Sequence, residues 1–244
     1  MRFKIELNAL DKKIPIGNRF MICSLIKRAI SDGDTELFNS IYKYEDKKNK
    51  KIKDFTFSIY LNDFKVSQSY INVNGKIIVT ISTSNYNVGI AIYNGLLGNK
   101  SFTYKDYKLE VVKVTLLKEN KVTTNSIVCK TLSPIFIKDK EGKAIDIYDD
   151  SFEETLNYIS DIYLKTFRGM GLTERIKFSP IDMKKVVIKE EIAGFQEVTG
   201  KKFIFIDAYK GVFNLQGNIH DLQILLEAGL GFRRSEGFGL IDLI

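Results

Sequence analysis

The chain is expected to be an α+β protein built from two tandem ferredoxin-like (RRM-like) βαββαβ domains, residues 1–120 and 121–244. Strand-like and helix-like segments of the first half follow the order β-α-β-β-α-β. The second half repeats that order of elements without repeating the sequence. Between them lies a polar stretch at 118–124, KENKVTT. At 244 residues the chain is long enough for two cores of ordinary size.

Each element has its own signal. Phe3, Ile5 and Leu7 alternate with Arg2, Lys4 and Glu6, the period of a half-buried strand. Pro15-Ile16-Gly17-Asn18 breaks the chain, and Asn18 is placed to cap the helix that follows. Ile22, Leu25, Ile26, Ala29 and Ile30 recur at helical spacing up to Gly33. A shorter helix follows through Leu37, Phe38 and Ile41, then a lysine-rich loop at 43–53. Strands are predicted at 54–61, 76–82 and 107–117, with a helix marked by Val88, Ile92 and Leu96 and ended by Gly98. In the second half a strand at 126–131 precedes an acidic loop. Phe152, Leu156, Ile159, Tyr163 and Phe167 then line one helical face. Strands at 183–190 and 203–216, a short helix over Leu222–Ala228 and a final strand at 238–244 complete the unit.

Composition narrows the chemistry. Hydrophobic residues make up 44% of the chain, and apolar runs stop far short of the roughly 20 residues a membrane span needs. The start carries charge at once inside a strand pattern, unlike a signal peptide. Cys23 and Cys129 sit among apolar neighbours and read as reduced core thiols of a cytoplasmic protein. One histidine, His220, and no CxxC pair exclude the usual zinc sites, so no metal and no cofactor are expected. Residues 1–122 hold 21 basic and 12 acidic side chains, net +9, while residues 123–244 hold 16 and 18, net −2. That asymmetry points to a polyanion bound mainly by the first half.

The C-terminal stretch from Ala228 to Ile241 reads AGLGFRRSEGFGLI. It holds Gly229, Gly231, Gly237 and Gly239 as two Gly-x-Gly pairs around Arg233 and Arg234. Glycine lets the main chain adopt positive φ and approach another group closely. Two readings are open: an amide nest for phosphate, with the arginines adding charge, or a tight connection before the last strand. The run is not a dinucleotide fingerprint, which opens a helix, and no Gly-Lys-Ser/Thr follows to make a P-loop.

This glycine run closes a chain whose Phe55-Thr56-Phe57-Ser58, Leu132-Ser133-Pro134-Ile135 and 208–217 (AYKGVFNLQG) stretches fall in matching order. In that combination the sequence resembles the CRISPR-associated repeat-RNA endoribonucleases, the Cas6 family of the RAMP superfamily. The resemblance implies metal-independent cleavage of a precursor transcript. In that reaction the 2′-OH beside the scissile phosphate attacks it, leaving a 2′,3′-cyclic phosphate and a 5′-OH. It equally allows a silent relative that binds repeat RNA or serves in an effector complex. The implied partner is CRISPR repeat RNA, with other effector subunits or a second copy of the chain as further candidates, and no membrane.

Carried over residue by residue, the resemblance puts Tyr42 where the family's catalytic histidine is expected, and Lys27 where the first helix often has tyrosine. The assisting lysine has matches in Lys47, Lys48, Lys50, Lys51 and Lys53, of which Lys51 is taken as catalytic. Unperturbed tyrosine has a pKa near 10 and ionises to about a thousandth at neutral pH. Tyr42 therefore orients the 2′-OH, acts as an assisted base, or only packs on Phe38. Expected RNA contacts are Arg19, Arg28, Lys47, Lys48, Lys50, Arg233, Arg234 and the four glycines, with Arg168, Arg175 and Lys177 as secondary ones. Glu236 is an alternative partner for Arg233 and Arg234. His220 lies far along the chain from Tyr42 and reads as a helix-start surface residue.

Overall fold

The computed structural model describes residues 1–43, 52–191, 197, 200 and 203–244. Its first half contains strands β1 (Arg2–Ala9), β2 (Lys13–Pro15), β3 (Thr56–Leu61), β4 (Phe64–Val66), β5 (Tyr70–Val73), β6 (Ile77–Ser82), β7 (Ser101–Tyr104) and β8 (Tyr107–Leu116). The helices are α1 (Asn18–Gly33), α2 (Thr35–Tyr42) and α3 (Tyr86–Gly98). The sheet order β3-β6-β1-β8 is antiparallel throughout, with β7 added at the edge. Ferredoxin-like topology follows: α1 and α2 lead to the edge strand β3, β6 returns between β3 and β1, and α3 leads by way of β7 to β8 on the other side of β1.

The second unit repeats it with β9 (Ser126–Thr131), α4 (Asp150–Arg168), β10 (Lys177–Glu190), β11 (Ile204–Gln216), α5 (Ile219–Ala228) and β12 (Ile241–Leu243). Its sheet runs β10-β11-β9-β12. The sequence and the structure agree on an α+β chain with two ferredoxin-like units.

Alternation decides which face is buried. Phe3, Ile5 and Leu7 of β1 join Val79 and Ile81 of β6 under Ile22, Ile26 and Ile30 of α1 and Ile92 and Leu96 of α3. The two helices meet almost backbone to backbone: a Cβ at Gly95 would lie 1.9 Å from the Ala29 carbonyl oxygen. In the second unit Cys129, Phe213 and Leu215 pack under Phe152, Leu156, Tyr163 and Leu225.

Several sequence expectations move. The cap of α1 is Gly17, not Asn18, whose side chain instead donates to the Ile16 carbonyl oxygen at 3.4 Å. A small sheet β2-β5-β4 stands where no strand was expected. Strand β10 starts at Lys177 instead of 183, continuing through a bulge near Pro180. The last strand shrinks from 238–244 to three residues, because Gly237 and Gly239 hold positive φ and keep the preceding chain out of the sheet.

The units meet along a seam with polar fastenings. Buried Arg2 pairs with Asp242 at 2.7 Å and donates to the carbonyl oxygens of Leu226 (3.0 Å) and Ile241 (2.9 Å). Thr56 Oγ1 donates to the Phe238 oxygen at 2.8 Å, and Ser84 and Tyr163 share a hydroxyl–hydroxyl bond of 2.6 Å. Among the described residues no helix is long and apolar enough to cross a membrane.

Burial governs both thiols. It pushes Cys129 up to about 12, with the charge of Asp242 adding to the effect. It also raises Cys23, which faces the Ser235 carbonyl oxygen at 3.3 Å beside Glu236 and Glu190. At pH 8 a thiol with pKa near 12 is thiolate to only about one part in ten thousand. Iodoacetamide at pH 8 should therefore label neither cysteine in the native protein and both in urea. Fast native labelling of Cys23 would mean that the seam opens.

Candidate active site and nucleic-acid interface

Helix α1 builds the site by its repeat. Arg19, Cys23 and Lys27 stand four residues apart and so line one face. At one end, Arg19 and Cys23 meet the glycine-rich turn. Arg19 Nε donates to the Gly237 oxygen at 3.4 Å, and its guanidinium carbon lies 5.1 Å from the Phe238 ring centroid. At the other end Lys27 turns to α2. Asp34 caps that short helix through its bond from the Leu37 N–H, and α2 presents Phe38 and Tyr42 one turn apart.

Phe38 and Tyr42 stack at 5.1 Å between centroids, with 25° between their planes. Two ammonium groups lie near the tyrosine: Lys27 Nζ at 5.3 Å from the ring centroid and Lys53 Nζ at 4.8 Å. Lys27 also reaches the Phe38 ring, at 5.9 Å. Lys53 approaches from the chain leading into β3, and its charge is also felt at Cys23. Two cations beside a phenol can hold a phosphate and offset negative charge developing on it. The phenol itself can donate or accept one hydrogen bond.

The structure thus brings Tyr42 and Lys27 together with Lys53, one of the five lysines that the resemblance offered. Lys47, Lys48, Lys50 and Lys51 lie outside the described residues. Sequence reasoning could not choose among the lysines, because a loop without periodicity gives no direction to any of them. Arg28 does not join the cluster. It pairs with Asp32 one turn on, at 3.5 Å, and lines a depression with Gly95 and Asn99 on the α3 side.

The glycine run forms a tight connection. Gly229, Gly231, Gly237 and Gly239 all have positive φ. A Cβ on Gly237 would fall 2.7 Å from the Phe57 ring of β3, and one on Gly239 only 1.9 Å from the Leu230 oxygen. Amides that a phosphate nest requires already donate within the protein: Leu230 to Gly239, Phe232 to Phe136, Gly237 to Arg234 and Gly239 to Pro134. The turn is a wedge against the first unit, held through Gly237 on Phe57 and these main-chain bonds.

Arg234 departs furthest from expectation. Only 8% exposed, it lies over the Tyr163 ring at 3.8 Å and donates to the Ala228 oxygen at 3.4 Å. Burial pulls its pKa down, opposed by Tyr163 and Asp54. It is therefore no surface contact for a phosphate. Arg233 stays half-buried, 3.5 Å from Glu236, the alternative partner considered from the sequence. Arg19 is held by Glu190 at 3.0 Å, a carboxylate only 2% exposed. Burial raises Glu190 against the pull of Arg19. Arg168 clamps Asp221 at 2.7 Å across α4 and α5, while Arg175 and Lys177 are exposed. His220 is exposed at the start of α5, its N–H bonded to the Asn218 side chain.

Comparison with known proteins decides the family. A model described as "CRISPR associated protein Cas6, C-terminal" matches residues 117–243, just over half of the chain. The chain belongs to the Cas6 family. Its sequence is 26% identical over 251 residues to the CRISPR-associated endoribonuclease Cas6 of Pyrococcus furiosus, covering 100% of this chain and 90% of that protein. The fold is shared with a Cas6-related protein of the same organism at a TM-score of 0.80 and 20% identity, over 100% and 98% of the two chains. A structure described as an RAMP protein binding different RNA substrates aligns at 0.79 and 19%, over 100% and 99%. In this Cas6 chain the family's C-terminal half supplies the wedge, and the first unit supplies the Lys27–Tyr42–Lys53 cluster.

Proposed function

We propose that this Cas6 protein is a metal-independent endoribonuclease that binds CRISPR repeat RNA and cleaves it at the Tyr42 cluster. The observation that supports this is the pair of ammonium groups, 5.3 and 4.8 Å from the ring centroid of a tyrosine standing where the family's histidine is expected.

In the step proposed, the 2′-oxygen forms a bond to phosphorus while the bond from phosphorus to the 5′-oxygen breaks. The 2′-hydroxyl proton leaves to water or to the Tyr42 oxygen, and the departing 5′-oxygen takes up a proton. The products are a 2′,3′-cyclic phosphate and a 5′-OH. Tyr42 aligns the 2′-OH, which favours in-line attack by removing rotational freedom. Lys27 and Lys53 offset the charge gathering on the non-bridging oxygens, and one of them protonates the leaving oxygen. Without a histidine near pKa 6.5 the proton transfer is poorly matched to neutral pH, so the enzyme is slow and retains its product.

Missing histidine also favours a second reading, a repeat-RNA binder without cleavage or a subunit of an effector complex. The stacking of Tyr42 on Phe38 fits that reading equally well. Incubation with the organism's own repeat RNA in EDTA separates the two. The intact RNA should be cut, and RNA carrying a single 2′-deoxy nucleotide at the scissile position should bind without being cut. Tight binding with neither RNA cut would leave only the binder, and binding indifferent to salt would remove both.

A further inference from the structure

We propose that Arg234, acting with Tyr163 and Asp54, is a positioning residue for Lys53, connecting closure of the glycine-rich wedge to the geometry of the candidate active site. The inference rests on the reading of Lys53 given above.

A chain of contacts runs across the seam. Arg234 stacks on Tyr163 of α4 at 3.8 Å. The Tyr163 hydroxyl shares a 2.6 Å bond with Ser84 of the turn before α3. From the same turn, the Asn85 side-chain amide donates to Asp54 Oδ2 at 3.1 Å, and the Thr83 hydroxyl donates to the Asp54 carbonyl oxygen. Asp54 is thus gripped by side chain and main chain, and its neighbour is Lys53. With consecutive Cα atoms about 3.8 Å apart, fixing Asp54 fixes the origin of the lysine side chain.

Electrostatics give the chain a reason. Burying a guanidinium costs several kcal/mol unless opposite charge or hydrogen bonds offset it. Arg234 forms no salt bridge within 4 Å among the described residues, and the attraction it does feel comes from Asp54 and Tyr163. Burial raises Asp54, and the Asn85 bond and the Arg234 charge pull it back. Each charge makes the other's place tolerable. Displacing Arg234 frees Asp54 to turn to solvent and carry Lys53 away from Tyr42. A shift of about 1 Å at a reacting centre is worth roughly a hundredfold in rate.

The test uses the full chain and three readings: single-turnover cleavage at saturating protein, affinity for the uncleavable 2′-deoxy repeat, and melting temperature. Arg234→Met, Tyr163→Phe and Asp54→Asn should slow cleavage about ten- to a hundredfold and move affinity for the deoxy repeat by less than about threefold. Arg234→Lys should recover part of the loss, keeping the charge without the planar stack. Placed over Lys53→Ala, none of the three should slow cleavage further. Losses that multiply over Lys53→Ala, or that fall equally on affinity and rate, would overturn the proposal. If Lys53→Ala alone cleaves at the parental rate, the reading of Lys53 fails instead. A functioning Lys53 beside silent Asp54 and Tyr163 variants would sink only the positioning claim. Should Arg234→Met not fold, Tyr163→Phe and Asp54→Asn decide it, since the first removes a single hydroxyl and the second a single charge.

Discussion

Lys53→Ala is expected to slow repeat cleavage by about a hundred- to a thousandfold while leaving the protein folded. The estimate follows from the lysine's proposed task, since removing one donor aimed at transition-state charge costs about 10² to 10³ in rate. Lys53 stands 4.8 Å from the Tyr42 ring centroid and is only partly buried, so the melting temperature should move little. Lys27→Ala, on the exposed side of α1, should act in the same direction. The double variant should lose less than the product of the two, because both lysines serve one charge. Affinity for uncleavable repeat RNA should fall only modestly, as each lysine is one cation among several. Cleavage unchanged in both single variants would take the cluster out of the mechanism. An equal loss of affinity and rate would recast it as a binding surface.

Gly239→Ala should destabilise the protein by about 2–5 kcal/mol. Two penalties coincide there. The residue sits at φ +73°, where an L side chain is strained, and the new Cβ would meet the Leu230 carbonyl oxygen at 1.9 Å. That oxygen belongs to the facing main chain of the same turn, whose Leu230 amide donates back to Gly239 at 2.9 Å, so it cannot swing aside. Urea denaturation would report the change. A loss below about 0.5 kcal/mol would mean that the turn has room it is not described as having. Gly142→Ala is a useful contrast: it has φ +90° but no atom within 4 Å of its Cβ, so only the backbone strain applies.

Elements with long periodic signals were legible in the amino-acid order. Strand β1 alternates over six residues, and α1 and α4 keep one apolar face for several turns, so hydrophobicity alone identifies them. Strands β2 and β4, at three residues each, are too short to show a period, and their sheet went unread. The Gly-x-Gly pairs were visible, but their use was not. Positive φ serves a phosphate nest and a close backbone crossing equally, and only the positions of Phe57 and Leu230 distinguish the two. Arg234 misled for a related reason. A charged residue between glycines reads as exposed, and its burial depends on Tyr163, seventy-one positions earlier in the chain. Tyr42 and Lys27 were within reach because the family resemblance points to single positions for them. Lys53 was only one of five lysines in a stretch with no such constraint.

In the proposed reaction the RNA's own 2′-hydroxyl is the nucleophile, with lysines and no metal ion assisting. The most direct measurement is the chemistry of the cut ends, read by mass spectrometry on repeat RNA incubated with purified protein in EDTA. A 2′,3′-cyclic phosphate on the upstream fragment and a 5′-hydroxyl on the downstream one are predicted. A 3′-hydroxyl opposite a 5′-phosphate, or RNA bound and left whole, would contradict it.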